Sequence, residues 1–291
     1  MVDVFGGARS GKGTRGPRGP PGAKGSRGEP ATIKDLCTWM PQSVLKHLQE
    51  DDEIGCFLIE DTTKDIKKGE NGVTEWLSRS SRKFNLTLSD GKNPAKLKEI
   101  WIKGLYRCYI LDFKKSGYEC DEIALLKHAP GDYGFMCFTF QTSDDSIQTL
   151  LSNYQGDYET HFEISVTSSE ICITIFNADK KTRKIVPIQH NCRNWTTFFL
   201  EYRTSKTNIM QFRYIINNDT KHSGNFSFLN SVEDIGGCSI GSRWGEPFQY
   251  FNGDLSSLEI YYIAKVKDEQ KPPDCLRELV INKQMHNNIN K

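Results

Sequence analysis

No apolar stretch in this chain approaches the roughly 18–20 residues that a membrane-spanning helix needs. A helical membrane span is therefore excluded. Charge of one sign is also lacking. Lys and Arg number 38 against 37 Asp and Glu, a formal net charge of +1. That excludes a globally basic nucleic-acid binder. The nine cysteines contain no Cys-x-x-Cys pair, and no histidine cluster accompanies them, so a structural zinc site has no ligand set. Met1-Val2-Asp3-Val4-Phe5 has no apolar core of roughly 7–15 residues, so no secretory signal is visible. Disorder throughout is excluded by 11% aromatic residues and plentiful Ile, Leu and Phe.

What is present is unevenly spread. Nine of the 24 glycines lie in the first 30 residues. Gly13, Gly16, Gly19, Gly22, Gly25 and Gly28 keep a strict period of three, with Pro17, Pro20, Pro21 and Pro30 between and after them. Only Gly fits at the axis of three wound polyproline-II strands. The segment therefore resembles the C-terminal end of a collagen-like triple helix, and its alternative is a flexible Gly/Pro-rich linker. Gly6-Gly7-Ala8-Arg9-Ser10-Gly11-Lys12-Gly13-Thr14 also resembles the phosphate loop of adenylate-kinase-type enzymes. Such a loop needs a helix directly after it. Pro17, Pro20 and Pro21 exclude that helix, since an interior Pro costs ~3 kcal/mol.

Charge divides at the same boundary. Residues 1–31 carry +4, which leaves −3 for the rest. Arg15, Arg18, Lys24 and Arg27 are the candidate contacts for a polyanion such as sulfated glycan, against the simpler reading that they keep the stem soluble. Collagen-like triplets imply an extracellular location, and nine cysteines suit an oxidising compartment. Sequons at Asn85, Asn194, Asn218 and Asn225 are candidate N-glycosylation sites. The expectation is a secreted, matrix-associated protein whose sequence is N-terminally truncated, with a signal or anchor and further triplets upstream.

From residue 32 the composition is globular. Pro41 to Gln49 predicts a short helix, with Val44, Leu45 and Leu48 on one face. Ile54 to Ile59 predicts a strand, and Val73, Trp76, Leu77, Phe84 and Leu86 anchor a polar region. Beyond Gly104, runs of strand length follow one another at near-ten-residue spacing. They cover 105–113, 134–142, 158–168, 170–177, 183–189, 195–203, 208–216, 223–228, 237–242 and 255–264. That spacing predicts an antiparallel β-sandwich. The domain reading is a stem at 1–31, a connecting region at 32–100, the sandwich at 101–266 and a tail at 267–291.

The closing run Phe251-Asn252-Gly253-Asp254-Leu255-Ser256-Ser257-Leu258-Glu259-Ile260-Tyr261 resembles the last strand of laminin G-like and concanavalin A-like sandwiches. Ile235 to Gly241 and Trp195 to Tyr202 resemble two further strands of that jelly-roll fold. The resemblance implies a mainly β fold and binding through loops at the sandwich rim. It also admits Ca²⁺ through rim carboxylates such as Asp144, Asp145, Asp234 and Asp254. These match no ligand motif for an ion that takes 6–8 oxygens, so no cofactor is assigned.

The same fold can carry glycosidase chemistry, which needs two carboxylates in one cleft. Glu159 and Glu163 share a strand face but stand about 13 Å apart. Asp121 and Glu122 point to opposite faces, and His47, His128, His161, His190, His222 and His286 have no partner motif. The reading is not an enzyme. Among the cysteines, Cys137 and Cys172 read as small core residues. Cys108 and Cys120 flank a turn and are candidates to bridge two strands. Cys192 and Cys238 sit near strand ends, where disulfides staple sandwiches. Cys37, seven residues past the last triplet, is the candidate interchain bridge of a trimer.

The expected function is an extracellular, collagen-stalked binding or structural protein. It forms a homotrimer through its stem and presents three sandwich heads to a matrix protein or a glycan. The alternatives are a soluble lectin-like recognition protein and a polysaccharide-acting sandwich hydrolase.

Overall fold

The structure is a computed structural model. It describes residues 53–59, 62–78, 85–102, 106–120, 133–155, 159–176, 183–204, 209–217, 219–229, 237–243 and 249–263. The triplet region, Cys37, Asn218, Asp234 and the helix expected at 41–49 lie outside these residues.

The described residues form seventeen strands. In chain order they begin with β1 (Glu53–Leu58), β2 (Ile66–Lys68), β3 (Val73–Leu77), β4 (Asn85–Leu88), β5 (Lys96–Ile102) and β6 (Tyr106–Lys114). There follow β7 (Tyr118–Cys120), β8 (Tyr133–Gln141), β9 (Gln148–Gln155), β10 (Glu159–Val166), β11 (Glu170–Phe176) and β12 (Arg183–Gln189). The last are β13 (Thr196–Thr204), β14 (Ile209–Ile216), β15 (Asp219–Leu229), β16 (Cys238–Ile240) and β17 (Asn252–Ile263). One sheet runs β15-β14-β13-β8-β17-β6-β5, with β1 also pairing β17. The other runs β12-β11-β10-β9-β16-β7-β4-β3-β2. Neighbouring strands pair antiparallel, as the mainly β sandwich expectation requires. β1 to β5 pair directly into the two sheets, so strand pairing extends N-terminally of residue 101.

Alternation explains which side chains meet between the sheets. Along β8, Met136, Phe138 and Phe140 face the core, while Cys137 and Thr139 face away. On β13, Phe198, Leu200 and Tyr202 do the same. Phe113 sits edge-on to Tyr118 and to Phe251, with ring centroids 5.6 Å apart in both cases. The Tyr118 hydroxyl is buried but satisfied. It donates to the Val73 carbonyl at 2.7 Å and accepts from the Ala95 amide at 2.9 Å. Burial pushes its pKa up to about 12.

The closing strand bears out its sequence reading. Leu255, Leu258 and Ile260 are buried in the core. A spacing of three between the two leucines would place them on opposite faces of a regular strand. A register shift between Leu255 and Ser257 against β8 restores them to one face. Gly253 is required by contact: a Cβ there would collide with the Gln141 carbonyl oxygen. Pro187, which has no amide proton, lies on β12, which among the described residues pairs only with β11 at the sheet edge.

The outward face of the second sheet is polar yet buried at its centre. Ser152 and Ser239 hydroxyls lie 2.7 Å apart across β9 and β16. Glu163 beside them is only 1% exposed. It accepts from Arg243 Nε at 2.8 Å, Arg243 Nη2 at 2.5 Å and Thr149 Oγ1 at 2.9 Å. The Thr149 amide donates to the Gln249 carbonyl at 2.6 Å. The chain on both sides of residues 244–248 is thereby tied to this face.

Cys120, Cys137, Cys172, Cys192 and Cys238 all stand as thiols. Cys137 and Cys192 are buried, and Cys172 is half-buried. The bridge considered between Cys108 and Cys120 is not formed, since Cys120 stands as a thiol. The expected staples at Cys192 and Cys238 are absent as well. Burial alone raises the Cys192 thiol to about 12, which makes it an inert core group.

Candidate functional site

Four connections converge at one end of the sandwich. They are β8–β9 (142–147), β10–β11 (167–169), β12–β13 (190–195) and β14–β15 around Asn217. Backbone hydrogen bonds lock the first three together. The Ser168 amide donates to the Asp144 carbonyl, the Cys192 amide to the Ser168 carbonyl, and the Thr142 amide to the Cys192 carbonyl, each at 2.8 Å. The fourth is held by Asn217, whose Oδ1 accepts from the Thr197 amide at 2.7 Å. Asn217 has a φ of 48°, a left-handed turn conformation that Asn tolerates.

Between these connections lies an open cleft of about 790 Å³. Its lining includes Asp145, Gln189, His190, Arg193, Asn194 and His222. Every described lining side chain can donate or accept hydrogen bonds, and none is aliphatic. Asp145 accepts from Ser168 Oγ, and from Arg193 Nη2 at 3.0 Å. The Ser168 hydroxyl first, and the Arg193 guanidinium second, hold the Asp145 carboxyl below the usual range. His190 Nε2 lies 3.1 Å from Thr196 Oγ1. That hydroxyl spends its proton on the Asn194 carbonyl at 3.0 Å. His190 must therefore donate from Nε2, which leaves its Nδ1 lone pair free. The His190 and His222 rings meet edge-on at 5.6 Å. Burial, and then the neighbouring His222, lowers the basicity of His190.

The structure sorts the residues singled out from sequence. Asn194 is exposed in the cleft. Asn225 is exposed on β15 and Asn85 half-buried at the start of β4, both outward, since Phe226 and Leu86 beside them pack inward. Arg15, Arg18, Lys24 and Arg27 lie outside the described residues, as does Cys37. Of the acids considered for Ca²⁺, Asp144 accepts from the Ser146 amide at 2.9 Å and from Asn252 Nδ2 at 3.1 Å. Asp145 is paired with Arg193. Asp254 faces Gln141 at 2.8 Å and Lys98 at 3.6 Å. Among the described residues no group of three or more His, Cys, Asp or Glu is placed to hold a metal. Glu163, one of the two strand carboxylates considered for glycosidase chemistry, is a structural anchor for Arg243.

Sequence reasoning missed the pairing of His190 with His222 and the joining of Asp145 to Arg193. These residues are 32 and 48 positions apart, and only the sheet order brings them together. The local hint was the polar run His190-Asn191-Cys192-Arg193-Asn194 between two apolar strands.

Fold and site together define an antiparallel β-sandwich with a cleft at one end, built by loops whose described lining side chains can all hydrogen-bond. No protein-family model matches the chain, and no curated protein matches it. Among solved structures, it is similar to the botulinum neurotoxin serotype D binding domain, at 12% identity and a TM-score of 0.46, over 79% of this chain and 51% of that one. The chain spans about half the length of that domain. It is also similar to the Ruminococcus gnavus IT-sialidase CBM40 bound to α2,3-sialyllactose, at 16% identity and a TM-score of 0.35, over 49% of this chain and 90% of that one.

Proposed function

We propose that this chain is a glycan-binding sandwich head carried outside the cell on a trimeric collagen-like stem. One observation carries the binding part: a cleft of about 790 Å³ whose described lining is hydrogen-bonding throughout. Pockets for ordinary small ligands are predominantly apolar with a few polar groups. A lining of amides, imidazoles, hydroxyls, one carboxylate and one guanidinium suits a ligand made of hydroxyl groups. Such an open polar site binds weakly on its own. Three heads on one stem convert weak single contacts into avid attachment.

The reading is non-catalytic. Asp145 is the one carboxylate in the described lining, and it is already engaged by Arg193 and Ser168. Glycoside hydrolysis needs a second carboxylate across the scissile bond. The collagen-like stem, the homotrimer, the secreted matrix location and the interchain bridge at Cys37 belong to the proposal. They rest on the six Gly-x-y triplets.

The test is a glycan array probed with the full chain and with His222→Ala and Gln189→Ala. The proposal expects retention on a defined set of glycans, reduced at least tenfold by either substitution. No retention on any glycan, or unchanged retention by both variants, would overturn it.

A further inference from the structure

Asn194 is both a sequon asparagine and a wall of the cleft. Its place is fixed by the loop that carries it. The Cys192 amide and carbonyl are both bonded to neighbouring connections, and Thr196 Oγ1 donates to the Asn194 carbonyl at 3.0 Å. A sugar attached to Asn194 Nδ2 therefore starts within the cleft rather than beside it. We infer that N-glycosylation of Asn194 places the chain's own glycan in this cleft, where it competes with any other ligand and lowers its binding several-fold. The inference rests on the glycan-binding reading for its consequence, but not for its geometry. In the modification a lipid-pyrophosphate-linked oligosaccharide is the donor. The bond from Asn194 Nδ2 to the anomeric carbon forms, and the anomeric carbon–oxygen bond to pyrophosphate breaks. The amide loses one proton and the lipid pyrophosphate leaves. Asn225 and Asn85 lack this effect, because both point outward from the strands, away from the core, and neither lines the cleft.

The experiment uses the full chain secreted from animal cells, with Asn194→Gln and Asn225→Gln beside it. Glycopeptide mass spectrometry reads occupancy. Acylation of His222 by diethyl pyrocarbonate reads access to the cleft without any ligand. His222 is exposed, so the unmodified cleft should react readily. The expected result is occupancy at Asn194 and His222 acylation several-fold slower than in Asn194→Gln. Asn225→Gln should match the wild type. On a glycan array, Asn194→Gln should be retained several-fold more than the wild type. An unoccupied Asn194, or equal acylation rates, overturns the inference. Equal rates of acylation with strong array binding in both forms overturns it while sparing the glycan-binding reading. Slowed acylation with no array binding in any form does the reverse.

A separate observation carries a second inference. Cys120 on β7 and Cys238 on β16 are directly opposite partners in an antiparallel pair. Both belong to the core cluster and are 5% and 0% exposed. Directly opposite residues of an antiparallel pair hold their Cα atoms about 4.5–5.5 Å apart, and disulfides span Cα separations of about 4.4–6.8 Å. We propose that these two thiols close a cross-strand disulfide when the chain folds in the presence of a low-molecular-weight disulfide. Two S–H bonds are lost and one S–S bond forms. The small disulfide is cleaved and takes up the two electrons and two protons as two thiols. Burial in the finished sandwich means that the bond closes before the core does.

The full chain is refolded with oxidised glutathione, alkylated in denaturant and digested without reduction. A linked peptide pair containing Cys120 and Cys238 is expected, with Cys137 and Cys192 alkylated. Dithiothreitol should lower the melting temperature of the wild type and leave that of the Cys120→Ser, Cys238→Ser double variant unchanged. Folded protein in which both cysteines are alkylated, or in which either pairs elsewhere, overturns the proposal.

Discussion

Two ion pairs in this molecule have opposite worth, and burial decides which is which. Glu163 is enclosed and accepts three hydrogen bonds from Arg243 and Thr149. Arg243→Ala leaves that carboxylate charged and without its cation. Loss of one partner from a buried pair costs about 3–5 kcal/mol. Arg243 is itself 26% exposed, so about 3 kcal/mol is the expected fall in unfolding free energy, read by urea titration. Arg193 and Asp145 sit in the open, at 57% and 74% exposure. Arg193→Ala should leave the urea midpoint nearly unchanged, since exposed pairs are screened by water and salt. Its effect should fall on the cleft, because the guanidinium joins two of its walls.

His190 gives the cleft a pH dependence of definite sign. Its folded pKa lies below the ordinary 6.5, through burial and then through His222. Between that lowered value and 6.5 the unfolded chain binds more protons than the folded one. Stability is therefore fully present above about pH 6.5 and declines as pH falls towards the folded value. Melting curves across pH 7.5 to 5.5 should show this decline, and His190→Gln should flatten it. The Asp144 carboxyl contributes in a separate window. It is held down by the Ser146 amide and hydroxyl and then by Asn252. Its contribution is present above about pH 4 and is lost only as pH falls below that.

At the scale of strands, packing around β17 is the most demanding. Gly253→Ala drives a methyl group into the Gln141 carbonyl at the start of the closing strand. A loss of about 2–3 kcal/mol is expected, with the cost carried by backbone displacement, as in other overpacked sites. Thermal unfolding of the variant checks it. This strand was legible in the sequence because its apolar positions and its glycine form a local pattern. The strands at β6, β8, β10 to β14 and β17 were legible for the same reason. Strict alternation marks a half-buried strand wherever it sits.

β9 was not legible, and its side chains show why. Leu150 and Leu151 are adjacent, yet both are buried in the core. A register shift against β10 between Ile164 and Ser165 turns both inward and breaks the period-two signal. Gln148, Thr149, Ser152 and Asn153 around them are also buried, as polar residues. Gln148 is held by Thr142 and Asn252, Thr149 by Glu163 and Asn153 by the Phe162 amide, distant contacts that no local pattern announces. β2 and β7 are three residues each, too short to display a period. The cleft was least legible of all, because its walls come from four connections that only the sheet order assembles.

At the scale of the whole molecule, the net charge of +1 conceals a basic N-terminal segment and a slightly acidic remainder. On the proposed reading the six triplets would form a short triple helix, with each glycine at its crowded axis. Gly19→Ser in mid-stem should therefore abolish the trimer, and sedimentation in the cold of prolyl-hydroxylated protein reads this directly. A wild-type chain that sediments as monomer would remove the stem from the account. The same variant separates stem from head. In solution, a soluble glycan should bind Gly19→Ser and wild type with equal affinity per head, since the cleft lies in the sandwich. On a dense glycan surface, three linked heads should hold about 10²–10⁴-fold more tightly than one. Gly19→Ser should forfeit that factor and nothing else. Equal surface retention by trimer and variant would mean that the heads act singly, whatever the stem does.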